Sequence, residues 1–205
     1  MICVTFSKPT VEQFLSKHPE VRMIELRLDL MKIGVMQFFR FLSLPVDVIA
    51  TYRPNKKLTE SQRLMLLLQC IAFGARYVDV EIESGAEFIS TLRKSATEHN
   101  CKLIVSYHNF EKTPDLPELE QIAERCRAAQ ADIVKIACMV NNEQDILNIK
   151  SLYTKNHPIV ALGMGEKGII TRTKACEWGA PFTFAAAAAD APTAPGQISF
   201  EGLKV

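Results

Sequence analysis

The sequence lacks a long hydrophobic run, and this argues against a membrane-spanning helix. None of its apolar stretches reaches the roughly 18 consecutive residues that such a helix needs. The first residues, MICVTFSKPT, contain no basic region, and their apolar segment is too short for a signal peptide. We therefore expect a soluble, cytoplasmic protein with no membrane partner.

The chain also lacks an excess of charge of either sign. It has 24 basic and 23 acidic residues among 205, which gives a formal net charge of +1. Without a basic cluster, the sequence has no electrostatic footprint for nucleic acid or for an anionic membrane surface. We expect its partner to be a small molecule.

Paired cysteines and closely spaced histidines are absent as well. The six cysteines are scattered without a CxxC pair, and the four histidines have no HxxxH or HxxEH spacing. These absences argue against a disulfide framework and a metal site, so we expect buried, reduced thiols. GMGEKG at 163–168 lacks the GKS/T ending and the GxGxxG spacing of nucleotide-binding loops.

What the sequence does contain is an alternation of short branched apolar runs with longer segments of helical periodicity, which is typical of βα units. Thr10 with Gln13, and Thr59 with Gln62, have the spacing of helix capping boxes. With 48% hydrophobic residues, the chain can form one sizeable core, and we expect a single domain over 1–205. The predicted strands are 2–6, 21–28, 46–53, 76–82, 102–108, 131–137, 158–164 and 181–187.

Polar residues occur at the carboxyl ends of predicted strands throughout the series. They are Glu25, Arg27, Arg53, Glu81, His108 and Lys135. An open doubly wound sheet gathers its site at one switch point, whereas all strand ends of a (β/α)8 barrel meet at one face. We therefore predict an α/β fold, a (β/α)8 TIM barrel, whose eighth outer helix is short or missing.

Lys135 lies in the middle of an apolar strand, ADIVKIA. Because strand side chains alternate, Ile133, Lys135 and Ala137 share the inward face while Val134 and Ile136 face the helices. Desolvation among small neighbours would favour a neutral amine, a nucleophile that can form a Schiff base with a carbonyl. The alternative is a buried stem whose charged head reaches water or a carboxylate.

His108 ends the strand before that of Lys135, so in a barrel the two residues are neighbours. A histidine at that place can take a proton and return it, as a general base and acid. The other histidines, His18, His99 and His157, lie at predicted helix ends or turns, and we expect them at the surface. His108 and Lys135 are therefore the candidate catalytic residues.

Six further residues are candidates for holding a ligand. The forked donors of an arginine side chain match a carboxylate. Arg172 could instead be an ordinary surface residue of a helix, and Arg27 could pair with Glu25. Two members belong to the Ala/Pro-rich loop after the alanine run 185–189, which has the composition of a closing lid. The six are Glu25, Arg27, Arg53, Arg172, Thr193 and Gln197.

Six motifs in this order resemble type I 3-dehydroquinate dehydratase, a lyase family of the shikimate pathway. They are ELRLD, SYHNFEKTP, ADIVKIA, the GxxGxxTR pattern that ends at Arg172, FTFA and APGQIS. Each motif is weak alone, but together they span nearly the whole chain.

The resemblance implies a barrel without metal or dissociable cofactor that dehydrates 3-dehydroquinate to 3-dehydroshikimate. It assigns the imine to Lys135, proton transfer to His108 and binding of the substrate carboxylate to Arg172. By the same resemblance, Glu25, Arg27 and Arg53 would contact the ring hydroxyls and the carbonyl region of the substrate. Thr193 and Gln197 would belong to the closing loop.

One departure from the family concerns the carboxylate that orients the histidine. The family usually has a glutamate shortly after the third-strand arginine, but here Lys56 and Lys57 stand there, with Glu60 further on. Which carboxylate supports His108 is therefore open. The loop also has Thr193 where serine is usual, and this change keeps the hydroxyl.

Two alternatives remain open at this point. A class I aldolase would share the barrel and the Schiff-base lysine, and a non-catalytic barrel would bind a small acid without a covalent adduct. Some members of the resembled family are fused to a shikimate dehydrogenase domain, so the chain could be the front part of a longer polypeptide. A homodimer is a further expectation.

Overall fold

A computed structural model describes residues 1–154, 157–188 and 191–204 of the chain, so Ala189 and Asp190 of the predicted lid region lie outside the described residues. Its strands are β1 Ile2–Phe6, β2 Met23–Arg27, β3 Asp47–Thr51, β4 Tyr77–Glu81, β5 Lys102–Asn109, β6 Ile133–Met139, β7 Ile159–Met164 and β8 Thr183–Ala186. Its helices are α1 Val11–Lys17, α2 Val35–Leu42, α3 Glu60–Ala72, α4 Ala86–Glu98, α5 Leu116–Ala128, α6 Glu143–Ser151, α7 Ile169–Thr173, α8 Ala175–Trp178 and α9 Phe200–Leu203.

All eight predicted strands are present, and they form one parallel sheet in the order β7-β6-β5-β4-β3-β2-β1-β8. Strands next to each other in this order pair in parallel, including β8 with β1. The sheet therefore curves into a nearly closed barrel with the helices between its strands. The prediction of a (β/α)8 TIM barrel is confirmed.

Two apolar clusters explain which way each strand side chain points. Val134 and Ile136 of β6 belong to the outer cluster, which packs the barrel against its helices. Ile133 belongs to an inner cluster with Phe182 and Phe184, which fills the barrel interior. The predicted alternation of faces on this strand is thus confirmed, and polar groups are left to the carboxyl ends of the strands.

The prediction of a short eighth outer helix is also confirmed, because α9 has only four residues. Its Phe200 ring packs edge-on against the Phe14 ring of α1, with centroids 5.6 Å apart. This contact covers part of the barrel beside β8. Within the described ranges, no helix is long and apolar enough to cross a membrane.

Local expectations were met unevenly. Thr59 and Gln62 form the predicted capping box at the start of α3, but the Thr10 side chain caps nothing at the start of α1, so that prediction was wrong. Five cysteines are buried thiols as expected, whereas Cys176 is exposed. The described residues contain no group of three or more His, Cys, Asp and Glu side chains that could hold a metal ion.

Candidate active site

A cavity of about 290 Å³ opens at the carboxyl ends of the strands, and every site residue predicted from the sequence lines it. The predicted residues are Glu25, Arg27, Arg53, His108, Lys135, Arg172, Thr193 and Gln197. Glu81, Phe110, Met164 and Phe184 are among the other lining residues. The barrel therefore brings together side chains from distant parts of the sequence.

Lys135 is held between two carboxylates. Its Nζ donates to Asp79 Oδ2 at 2.8 Å and to Glu25 Oε1 at 3.4 Å, and it lies 4.0 Å from the centre of the Phe184 ring. The expectation of small neighbours alone around the amine was wrong, because strand periodicity gives the direction of a side chain but not what converges on it from other strands. The contacts match the alternative of a buried stem whose head reaches a carboxylate, and an amine must be free of its extra proton before it can act as a nucleophile.

Asp79 is the centre of the charge network. Its two oxygens accept hydrogen bonds from the Arg53 guanidinium, each at 2.8 Å, and Ser106 Oγ donates to Oδ1 at 2.6 Å. Burial acts to raise the pKa of Asp79, but the charges of Arg53 and Lys135 hold it well below its usual value. Sequence reasoning missed Asp79, although the period of two in RYVDVEI places it on the same strand face as Glu81.

Glu25 is oriented by two threonines rather than by its neighbour on the strand. Thr5 Oγ1 donates to Oε2 at 3.0 Å, and Thr51 Oγ1 donates to Oε1 at 2.8 Å. Burial acts to raise the pKa of Glu25, but Lys135 and then Arg27 bring it below its usual value. The alternative in which Glu25 pairs with Arg27 is wrong, because Arg27 makes a two-pronged pair with Asp29 at 3.0 and 2.8 Å.

His108 is half-buried beside a carboxylate. Its Nδ1 lies 3.3 Å from Glu81 Oε1, in a direction that is not yet aligned for a hydrogen bond. Burial and then the Arg53 charge lower the pKa of His108 to about 4, and Glu81 opposes part of this shift. The imidazole is therefore neutral near pH 7 and able to accept a proton. Glu60 instead pairs with Arg63 at 2.6 Å, and Glu81 is the carboxylate that lies beside His108 among the described residues.

Arg172 is a buried cation, not an ordinary surface residue of its helix. It is 3% exposed, and its Nε has no hydrogen-bond partner in the described part of the chain. Burial lowers the pKa of Arg172 to about 10. A buried guanidinium that lines the cavity with an unused donor is suited to bind an anionic group of a ligand.

The predicted closing loop lies against the mouth of the cavity. Gln197 Oε1 accepts hydrogen bonds from the backbone N and the Oγ1 of Thr193, at 2.7 and 3.0 Å. Gln197 Nε2 donates to Thr5 Oγ1 at 3.3 Å, and Arg27 donates to the Thr193 carbonyl oxygen at 3.4 Å. The loop is thereby joined to the residue that orients Glu25.

Sequence comparison places this arrangement among known proteins. The family model for type I 3-dehydroquinase matches residues 2–204. The 3-dehydroquinate dehydratase of Desulfotalea psychrophila is 33% identical over 215 residues, which cover 99% of this chain and 95% of that protein. The 3-dehydroquinate dehydratase of Methanocaldococcus jannaschii is 32% identical over 216 residues, with 100% and 96% covered.

Comparison with solved structures shows that the fold is similar to that of 3-dehydroquinate dehydratases. The type I 3-dehydroquinate dehydratase of Clostridium difficile, determined with covalently modified comenic acid, has a TM-score of 0.85 at 26% identity and covers 99% of this chain and 88% of its own. A 3-hexulose-6-phosphate synthase has a TM-score of 0.63 at 17% identity, with 95% and 93% covered. Since the barrel is shared that widely, it does not by itself decide the reaction.

Proposed function

Because this chain belongs to the type I 3-dehydroquinase family, we propose that it dehydrates 3-dehydroquinate to 3-dehydroshikimate through an imine on Lys135. The observation that carries the proposal is the convergence of three side chains on one cavity. They are a buried lysine, a histidine that is neutral near pH 7 and an arginine with an unused buried donor. A lysine nucleophile, a general base and an anion-binding group are what this reaction requires.

The first step joins the enzyme to the substrate. Lys135 gives up a proton, for which the neutral imidazole of His108 is an acceptor within the same cavity. The amine nitrogen then adds to the ketone carbon, and the imidazole returns its proton to the oxygen that leaves as water, which gives a protonated C=N bond and a neutral His108. Asp79 and Glu25 contact Nζ in the free enzyme, and their negative charges would stabilise the positive imine nitrogen in the same way.

The second step removes water from the substrate ring. The cationic imine withdraws electrons and makes the neighbouring C–H more acidic, so His108 can take that proton as a general base. Electrons move to expel the hydroxyl group at the next carbon, and the same imidazole returns a proton to it as it leaves. Hydrolysis of the imine then consumes one water, releases the product and restores the lysine.

The remaining residues hold the substrate in our proposal. Arg172 would bind the carboxylate, because its donor has no partner within the described structure. Arg27 and Arg53 already form ion pairs with carboxylates, so each can present its remaining donors to ring oxygens without leaving a buried charge unpaired. Thr193 and Gln197 would close the mouth once the substrate is bound.

Trapping with borohydride tests the imine. We expect 3-dehydroquinate and borohydride together to add the mass of the reduced adduct to the peptide that contains Lys135. Lys135→Ala should lose both the adduct and the turnover. Lys102→Ala is the matched control, since Lys102 is exposed at the opposite end of the neighbouring strand β5. Turnover without any adduct on the Lys135 peptide would contradict the proposed mechanism. Binding of 3-dehydroquinate with neither turnover nor an adduct would favour a non-catalytic barrel.

A further inference from the structure

We propose that Glu81 is the positioning residue that orients His108 for proton transfer. Glu81 is the last residue of β4, and its Cα pairs with that of Ser106, two residues before His108 on β5. This register sends the carboxylate toward the imidazole from the neighbouring strand, where its Oε1 lies 3.3 Å from Nδ1. The inference rests on the proposed function and adds a residue to it.

Other charged groups around His108 already have partners. Arg53 approaches from β3, Asp79 from β4 and Lys135 from β6. The Asp79 oxygens are taken up by Arg53, Ser106 and Lys135. Among the described residues, only the Glu81 carboxylate comes within ion-pair distance of the ring.

Glu81 is itself held loosely enough to adjust. Its Oε1 lies 3.9 Å from Arg53 Nη1, which fixes the side of the cavity on which the carboxylate rests. Its side chain is 20% exposed, whereas that of Asp79 is fully buried. A small rotation of either group would therefore align Nδ1–H with the carboxylate without breaking a buried network.

The consequence is a choice of tautomer. A neutral imidazole carries one proton, and a carboxylate beside Nδ1 keeps the proton on that nitrogen. The lone pair then stays on Nε2 at the other side of the ring, which is the nitrogen left to take the substrate proton. Without Glu81, both tautomers of His108 become accessible. Only a fraction of the molecules then has a free lone pair on Nε2 to accept the substrate proton.

The two positions after the third-strand arginine at which the sequence suggests an orienting residue, 57 and 60, do not contact His108 in the described structure. Glu60 pairs with Arg63, which is buried between Glu60 and Ser84. Lys57, which stands where the resembled family usually has its glutamate, donates to the carbonyl oxygen of Asp29 at 2.7 Å. Glu81 is the carboxylate that the fold supplies beside His108.

The direct test is the tautomer of His108 in protein labelled with ¹⁵N-histidine. The chain has four histidines, so loss of one resonance set in His108→Gln assigns the signal. We expect the Nδ1–H form to dominate in the wild type and the Nε2–H form to gain population in Glu81→Gln. A wild-type His108 that is mainly Nε2–H would overturn the inference, whether or not any variant folds.

Kinetics provide the second readout. In Glu81→Gln we expect kcat to fall by about 100-fold, within the range that general acid–base catalysis contributes, with KM changed little and Lys135 still trapped by borohydride. The acid limb of its pH profile should move to lower pH, because loss of the negative charge disfavours protonated His108. Glu81→Asp should recover part of kcat.

Glu83→Gln is the matched control, since it removes one negative charge from an exposed residue two positions further on that lines no part of the cavity. It should leave kcat and the acid limb unchanged. An unchanged kcat and pH profile in folded Glu81→Gln would refute the role of Glu81 alone. A wild type that fails to turn over 3-dehydroquinate would instead refute the proposed function.

Discussion

Asp79 shows how much of the site depends on a single charge. The half-buried Arg53 and the buried Lys135 each contact it at 2.8 Å, and its own side chain is fully buried. A buried ion pair contributes little net stability, because desolvation offsets the attraction, but removing one partner leaves the others unpaired in a medium of low dielectric. We therefore expect Asp79 to contribute to stability as well as to hold the lysine.

We expect Asp79→Asn to lower the free energy of unfolding by about 3 to 5 kcal/mol, because the amide cannot balance the two cations. Denaturant unfolding followed by circular dichroism would measure the loss. Glu177→Gln is the control, since its partner Lys174 is largely exposed and such a pair contributes only about 0 to 1 kcal/mol. A loss for Asp79→Asn as small as for the control would show that water compensates the cations.

His108 should make the stability of the protein depend on pH. Its pKa is about 4 in the folded state, below the usual 6.5, so the unfolded chain binds its proton first as the pH falls. Stability is therefore complete above pH 6.5 and decreases between pH 6.5 and 4, by up to about 3 kcal/mol for this group. Unfolding free energies of the wild type and His108→Gln across this window would check it. The variant should lack this part of the slope, and identical slopes would show that His108 does not titrate as described.

The two candidate catalytic residues could be selected from the sequence, but their surroundings could not be predicted. Lys135 and His108 stand out because a polar residue inside a branched apolar strand needs an explanation. Their counter-charges Asp79 and Glu81 come from another strand, and a single strand's period does not show which strands converge. The two carboxylates that contact Lys135 were not expected from the sequence for this reason.

At the scale of elements, the loop after β8 depends on one close backbone contact. Gly196 has φ +68°, and a Cβ at this position would lie 2.3 Å from the carbonyl oxygen of Gly165 in the loop after β7. The backbone N of Gly165 also donates to the Pro195 carbonyl oxygen at 3.1 Å. The loop that carries Thr193 and Gln197 can therefore take this position only because Gly196 lacks a side chain.

Gly196→Ala should push this loop away from the site while leaving the barrel intact. We expect kcat/KM to fall by about 10- to 100-fold, since Thr193 and Gln197 would be displaced from the cavity, with little change in the unfolding midpoint. Steady-state kinetics and thermal unfolding measure the two effects. Gly34→Ala is the control, because a Cβ there meets nothing within 4 Å. Unchanged kinetics for Gly196→Ala would mean that the loop has no part in catalysis.

Elements were predictable where local chemistry decides them. All eight strands follow from branched apolar runs, and Thr59 caps α3 through both bonds of its capping box. Thr10 has the same spacing to Gln13, but its side chain makes no capping hydrogen bond. The Thr10 backbone has φ −98° and ψ 16°, whereas a capping residue is extended. Spacing alone does not fix the backbone angles that a cap requires.

At the scale of the whole molecule, the polar residues at the strand ends favour a barrel over an open sheet from the sequence alone. Six polar residues spread over five predicted strands can share one site only if the sheet curves until those ends meet. Periodicity could not make this distinction, because both folds alternate strands and helices. The closure itself, between β7 and β8, depends on side-chain packing that the pattern does not encode.

The seam between β7 and β8 should be the weakest part of the barrel. Among the strands of the described structure, β7 pairs only with β6 and β8 only with β1, and Ala186 of β8 also forms an isolated bridge with Ser199. The seam is instead bridged by side chains: Phe182 and Phe184 pack with Leu162, and Thr183 Oγ1 donates to the Arg172 carbonyl oxygen at 2.9 Å. A strand with one paired edge opens at a lower free energy than a strand paired on both edges.

Hydrogen exchange with mass spectrometry would measure this difference within one molecule. We expect peptides that cover Ile159–Met164 and Thr183–Ala186 to exchange faster than the peptide that covers Ile133–Met139, which has partners on both sides. Borohydride trapping of the substrate should slow exchange at the seam, because Arg172 and Gln197 contribute to the site from the segments next to β7 and β8. Equal protection of all three peptides in the free protein would mean that the ladder continues across the seam and that the barrel is fully closed.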